Sequence, residues 1–261
     1  MIDDCAKCFL SAGHCGLGNT VVEFNVPFSN GNGSWNHPPP SDQYAIDGSS
    51  VQGNNAFGND WQYFGTFSNS TTGLTAYEGQ GDAFELVNPP PVSGNDIRIT
   101  GHGTDSTPNS TYNQVQQTHV GPFVGVGGTL QYQTDTTGGN SGSPVIWEQT
   151  NQAIGVHTNA GCSTSGSGAN NGTPITQPAL QAALANPLGI CASGGFGGAL
   201  ANLGNGSADF PYSQPPQFSG CGSLEGGSDY ELYLELPNLF GTTSVAYLIL
   251  GAANISLPFQ G

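Results

Sequence analysis

The sequence predicts an all-β protein of two units, and three observations carry that expectation. Short apolar runs alternate with Gly, Asn and Ser clusters through residues 1–191, 41 Gly and 18 Pro among 261 residues supply frequent turns, and only one stretch has helical composition. Hydrophobic residues make up 36% of the chain and aromatics 10%, enough for a packed core despite a charged fraction of 8%. A chain of this length holds one large β domain or a medium domain with a small one, and the composition shifts along it favour the second.

The runs Val21 to Val26, Gln62 to Phe67 and Ile97 to Ile99 read as strands. Between Pro178 and Pro187, the residues Ala179, Leu180, Ala182, Ala183, Leu184 and Ala185 are good helix formers, which predicts one short helix there. Residues 192–220 form a stretch rich in Gly, Ser, Asn and Pro, including Gln214-Pro215-Pro216-Gln217, and read as a linker. Residues 221–261 read as a small β module, because Tyr230 to Leu236 alternates and Val245 to Leu250 is apolar. A module of about forty residues buries too little surface to stand alone, so it is expected to be incomplete here or to lean on the first domain.

Eighteen acidic residues face two basic ones, Lys7 and Arg98, for a formal net charge of −16. No basic stripe exists to neutralise nucleic-acid phosphates, so nucleic acid is not an expected partner. No apolar run of about 18 residues is present, so no membrane span is expected. Six cysteines (Cys5, Cys8, Cys15, Cys162, Cys191 and Cys221) suit an oxidising compartment, which makes this a secreted protein by expectation. The start, MIDDCAKCFL, has neither the basic beginning nor the apolar run of a signal peptide, so a signal was removed or the chain begins late. Cys5-x-x-Cys8 has the spacing of half a zinc site, but no second pair follows, and disulfide use is the expectation. No metal and no cofactor are expected.

Two segments carry chemistry. In Phe9-Leu10-Ser11-Ala12-Gly13-His14-Cys15 a histidine directly follows an apolar strand-like run, and in Thr136-Thr137-Gly138-Gly139-Asn140-Ser141-Gly142-Ser143-Pro144-Val145 a serine is flanked by glycines at a tight bend. Such a bend exposes a hydroxyl and lets backbone N–H groups converge. Together the segments resemble the active-site motifs of the chymotrypsin-like serine proteases, most of all their bacterial glutamyl-endopeptidase branch. The resemblance covers residues 1–191 and is specific at AGHC, TTGGNSGSPV and IGVHTNAGC.

The resemblance implies a double six-stranded antiparallel β-barrel with the site between its barrels. It makes His14 the general base, Ser141 the nucleophile and Asp60, in Asn59-Asp60-Trp61, the buried carboxylate, with Asp47, Asp82 and Asp96 as competitors. The N–H groups of Gly139 and Ser141 then form the oxyanion hole. Family members activated by a freed N-terminal amine capture it with an Asp before the nucleophile; this chain has Asn140 there, as the glutamyl branch does. Thr136 and His157 stand at the branch's specificity positions and imply cleavage after Glu, or Asp, in a protein or peptide substrate. Thr158 stands where the family has a residue able to bond the triad carboxylate. Asn159, Ala160 and Gly161 match the strand that pairs with substrate backbone, Ala160 replacing a more usual Gly and narrowing the pocket mouth.

Only fourteen residues reach as far as His14, so the first barrel is expected to be truncated at its N-terminal side, with the first strand and most of the second missing. The resemblance pairs Cys162 with Cys191, and leaves Cys15 to Cys5 or Cys8. The competing expectations are a non-catalytic binding or surface protein on a protease fold, and a β-rich adhesion or carbohydrate-binding protein.

Overall fold

The computed structural model describes residues 1–16, 20–105, 109–163, 167–193, 217–222 and 230–235. The backbone groups into two units, Met1–Gly194 and Gly195–Gly261. In the first unit the strands are β1 (Phe9–Ser11), β2 (Val21–Glu23), β3 (Gln43–Ala45), β4 (Gln52–Ala56) and β5 (Asn59–Phe64), then helix α1 (Ala76–Gln80). There follow β6 (Asp96–Gly101), β7 (Gln117–Val126), β8 (Leu130–Tyr132), β9 (Pro144–Trp147), β10 (Gln152–Asn159) and β11 (Asn170–Pro174), and then the helices α2 (Pro178–Ala185) and α3 (Gly189–Ser193).

The second half of this unit is a closed six-stranded antiparallel barrel in the order β10, β11, β8, β7, β6, β9. Closure leaves no unpaired strand edge. Its core is built by Ile97, Ile99, Phe123, Leu130, Val145 and Ile154, all buried, and each such side chain contributes about 1.5 to 3 kcal/mol on burial. From Ala153 to Thr158, β10 is buried at every position. It is therefore covered on both faces.

The first half departs from the expected second barrel. It consists of a three-stranded sheet, β1-β5-β4, and a two-stranded sheet, β2-β3, linked where Asp47 N–H donates to Gly65 O and Phe67 N–H to Ala45 O. Phe9, Tyr44, Phe64 and Ala76 form their common core. The sheets stay separate because their strands are short: the run expected over Val21 to Val26 stops at Glu23, two residues before Asn25 enters the left-handed region with φ 52°. The strand expected from Gln62 begins instead at Asn59 and ends at Phe64.

The single helix expected over residues 178–187 is α2, which ends at Ala185, two residues before Pro187. Two further short α-helices accompany it among the described residues. A reciprocal capping box starts α1, Thr75 Oγ1 accepting from Glu78 N–H while Glu78 accepts from Thr75 N–H. In α3, Asp47 Oδ2 accepts from Ile190 N–H at 2.8 Å.

The cysteine pairing also differs from the expectation. Cys8 is bonded to Cys191, not Cys162 to Cys191, and Cys5 is likewise in a disulfide. Oxidation of Cys5 and Cys8 removes the thiolates a zinc ion would need. Cys162 keeps its thiol, and Cys15 Sγ lies 3.6 Å from Ser141 O. No helix among the described residues is long and apolar enough to cross a membrane.

In the second unit β12 (Gln217–Gly222) pairs antiparallel with β13 (Tyr230–Glu235). Residues 217–220, read as the end of a linker, are thus strand. The rest of that linker from 194 to 216, and the apolar run Val245 to Leu250, lie outside the described residues.

Candidate active site

The pairing of β1 with β5 brings the first two members of the site together. Its register sets Leu10 opposite Tyr63 and Ser11 opposite Gln62, so the chain leaving β1 runs toward Asp60. There it turns through a short 3-10 helix, Gly13–Cys15. Gly13 is required at this turn: a Cβ there would lie 1.9 Å from Asn54 O. His14 then makes two bonds to one carboxylate, its backbone N–H donating to Asp60 Oδ1 at 2.9 Å and Nδ1 lying 2.5 Å from Oδ2.

Asp60 is held from the far side. Its N–H donates to Thr173 Oγ1 at 3.1 Å, and that hydroxyl donates to Asp60 O at 2.7 Å. The Asp60 side chain is 4% exposed and the His14 ring 40%. That contrast leaves a buried carboxylate behind an imidazole that an incoming molecule can reach. Of the competitors, Asp47 binds Ser49 and Ile190 and makes no contact with His14.

Ser141 lies between β8 and β9, in a loop shaped by Gly139 at φ 93° and Gly142 at φ 91°, values that favour glycine. Gly142 N–H donates to His157 O and His157 N–H to Ser143 O, which ties the loop to β10. Ser141 Oγ consequently sits 2.8 Å from His14 Nε2 and 3.5 Å from Thr158 O. Within the same loop Asn140 N–H donates to Thr137 O and Ser143 N–H to Asn140 O. The N–H groups of Gly139 and Ser141 make no hydrogen bond among the described residues, so both are open to an acceptor from outside.

The expected specificity residues hang on β11. Thr136 Oγ1 accepts from Asn170 Nδ2 at 2.9 Å, which leaves its own hydrogen to donate. His157 is buried, with Nδ1 2.6 Å from the Tyr132 hydroxyl, which also lies 3.2 Å from Asn171 O. Burial first, and the nearby His14 second, push the His157 pKa down to about 4. Burial likewise pushes the Tyr132 phenol well above its ordinary value. At neutral pH both are uncharged.

The Thr158 hydroxyl donates to Asn171 O at 3.3 Å, not to the Asp60 carboxylate, because β10 at this point turns it toward β11. Asn159 closes β10 opposite Asn171, and Ala160 follows it, exposed. Tyr132, Asn170 and Thr173 were not singled out by the sequence. Each is a single polar residue on a strand of a chain full of Asn and Thr, and only the strand pairing shows what it touches.

No protein-family model and no curated protein sequence matches the chain. Solved structures do. A thermostable serine protease, AL20, from an extremophilic microorganism aligns over 71% of this chain and 89% of its own with a TM-score of 0.53 and 16% identity. The chain has the trypsin-like serine protease fold.

Two further solved structures align less closely. A Glu endopeptidase covers 66% of this chain and 77% of its own (TM-score 0.47, 22% identity), and a serine endoprotease from Yersinia pestis covers 69% and 56% (TM-score 0.43, 13% identity). The Ser141 loop leads into barrel strand β9 and is tied to β10, while the chain leaving β1 carries His14 and β5 carries Asp60. The site is therefore assembled from both halves of the unit.

Proposed function

We propose that this chain is a secreted serine endopeptidase that cleaves peptide bonds through an acyl-enzyme on Ser141, with a preference for Glu, and secondarily Asp, before the cleaved bond. The observation that carries this reading is His14 standing between two partners, Nδ1 at 2.5 Å from Asp60 Oδ2 and Nε2 at 2.8 Å from Ser141 Oγ. With Nδ1–H directed at the carboxylate, Nε2 is left as the base. It takes the Ser141 proton as Oγ attacks the peptide carbonyl, and the carboxylate stabilises the imidazolium that forms. His14 then gives the proton to the leaving amine. Water, deprotonated by His14 in turn, hydrolyses the ester and restores Ser141.

In the tetrahedral intermediates the carbonyl oxygen carries the charge, and the open N–H groups of Gly139 and Ser141 are its natural donors. Loss of one such donor costs roughly 3 to 4 kcal/mol. For the residue before the cleaved bond, Thr136 offers a hydroxyl hydrogen. His157 offers Nε2–H when Tyr132 donates to Nδ1. Hydrogen bonds to a charged group are worth roughly 1.5 to 3 kcal/mol each, so two neutral donors suffice for a preference without any basic residue. The pairing of Cys8 with Cys191 supports the oxidising compartment that secretion implies.

A peptide series that differs only in the residue before the bond tests the reading. Wild-type protein is expected to cleave the Glu peptide at least about tenfold faster than the Leu peptide, and Ser141→Ala none of them. Equal rates for Glu, Gln and Leu would remove the specificity; hydrolysis surviving in Ser141→Ala would remove the mechanism.

A further inference from the structure

The oxyanion donors are only as good as the orientation of the peptide between Gly138 and Gly139. In a trans peptide the carbonyl and the N–H point in opposite directions, so turning this unit over would exchange a donor for an oxygen. No side chain on either flanking residue opposes such a flip. Both flanking residues are glycines, and a Cβ on Gly138 would meet nothing closer than 3.6 Å. The neighbouring loop peptides are each tied at one end: Thr137 O accepts from Asn140 N–H, Asn140 O, at the other end of the Ser141 peptide, accepts from Ser143 N–H, and Gly142 N–H donates to His157 O. The remaining freedom lies in this one peptide.

Thr104 removes it. Its backbone N–H donates to Gly138 O at 2.7 Å and its hydroxyl donates to the same oxygen at 2.9 Å. No other described residue donates to that oxygen. The segment that carries Thr104 is seated against the loop: a Cβ on Gly103 would lie 2.2 Å from Thr137 Oγ1 and one on Gly101 2.7 Å from Asn140 Oδ1, so these glycines let the strand end and the loop pack in contact. Gly103 O in turn accepts from Gln114 N–H at 3.0 Å. With its carbonyl held by two donors on the Thr104 side, the 138–139 peptide turns the Gly139 N–H to the opposite side of the loop.

We propose that Thr104 is the positioning residue of the oxyanion hole, holding the Gly138 carbonyl so that the Gly139 N–H stays available to the reacting carbonyl. This inference rests on the protease reading. Thr104 touches no reacting atom and acts through Gly138.

The test compares wild type, Thr104→Val and Thr104→Ser on the best peptide substrate, together with the matching peptide aldehyde and peptide alcohol as inhibitors. The aldehyde adds to a serine and forms an oxyanion; the alcohol cannot. For Thr104→Val, kcat is expected to fall about five- to tenfold at unchanged KM, with aldehyde affinity falling by the same factor and alcohol affinity holding. Thr104→Ser is expected to restore both. The inference is overturned if Thr104→Val keeps wild-type kcat, if alcohol and aldehyde weaken together, or if Thr104→Ser is as poor as Thr104→Val. Wild-type protein that hydrolyses nothing overturns the protease reading and this inference with it.

Discussion

At His157 one residue links packing and charge to the proposed specificity. Its ring is buried beside Tyr132, and its pKa is lowered to about 4 from the ordinary 6.5. Between those values the unfolded chain binds a proton that the folded chain refuses. The stability tied to this residue is therefore complete above about pH 6.5 and is lost as pH falls toward 4, by on the order of 3 kcal/mol. Urea unfolding at pH 7 and pH 4.5 checks this: His157→Asn is expected to lose distinctly less stability across that interval than wild type, and equal losses would contradict it. His14, Thr136, Gly139 and Ser141 stood out in the sequence because two segments concentrate them, and His157 because a third stretch, IGVHTNAGC, carries it. The residues that orient them were not. Asn170 is 2% exposed and bonds Thr134 O, Thr136 Oγ1 and the N–H groups of Gly161 and Cys162, yet in sequence it is one Asn among many.

Among the elements, β5 does most to build the site. It pairs with β1 on one side and β4 on the other, and is buried from Asp60 to Phe64. The register delivers His14 to Asp60 only if the turn after β1 can press against β4, where Asn54 O occupies the space a Gly13 side chain would need. Gly13→Ala is therefore expected to displace His14 and lower kcat by about a hundredfold, the usual cost of an ångström-scale misplacement. Steady-state kinetics on the refolded variant reads it directly, and near-wild-type kcat would contradict the account. Strand positions were broadly legible, while their ends were not, since Asn25 breaks β2 through a backbone angle that no apolar pattern encodes. The Thr75 and Glu78 capping box of α1 is a signal that the sequence does contain. It went unread because five residues are too few to show a helical period.

At the scale of the whole unit, the closed barrel is tied to the Ser141 loop through β10, and the smaller sheets place His14 and Asp60. The fold class was predictable from turn-rich composition, whereas closure of one half and not the other depends on strand lengths of three residues that composition does not report. The bond between Cys8 and Cys191 closes a loop of 183 residues and joins the segment before β1 to α3. The resemblance suggested another pairing because cysteine spacing alone does not choose between partners. In the proposed mechanism these two halves meet to activate Ser141. Labelling with a fluorophosphonate probe, which reacts only with an activated serine, tests it most directly. Wild-type chain is expected to be labelled at Ser141, and Ser141→Ala and His14→Ala to stay unlabelled. An unlabelled wild-type chain, or labelling that survives in Ser141→Ala, would contradict it.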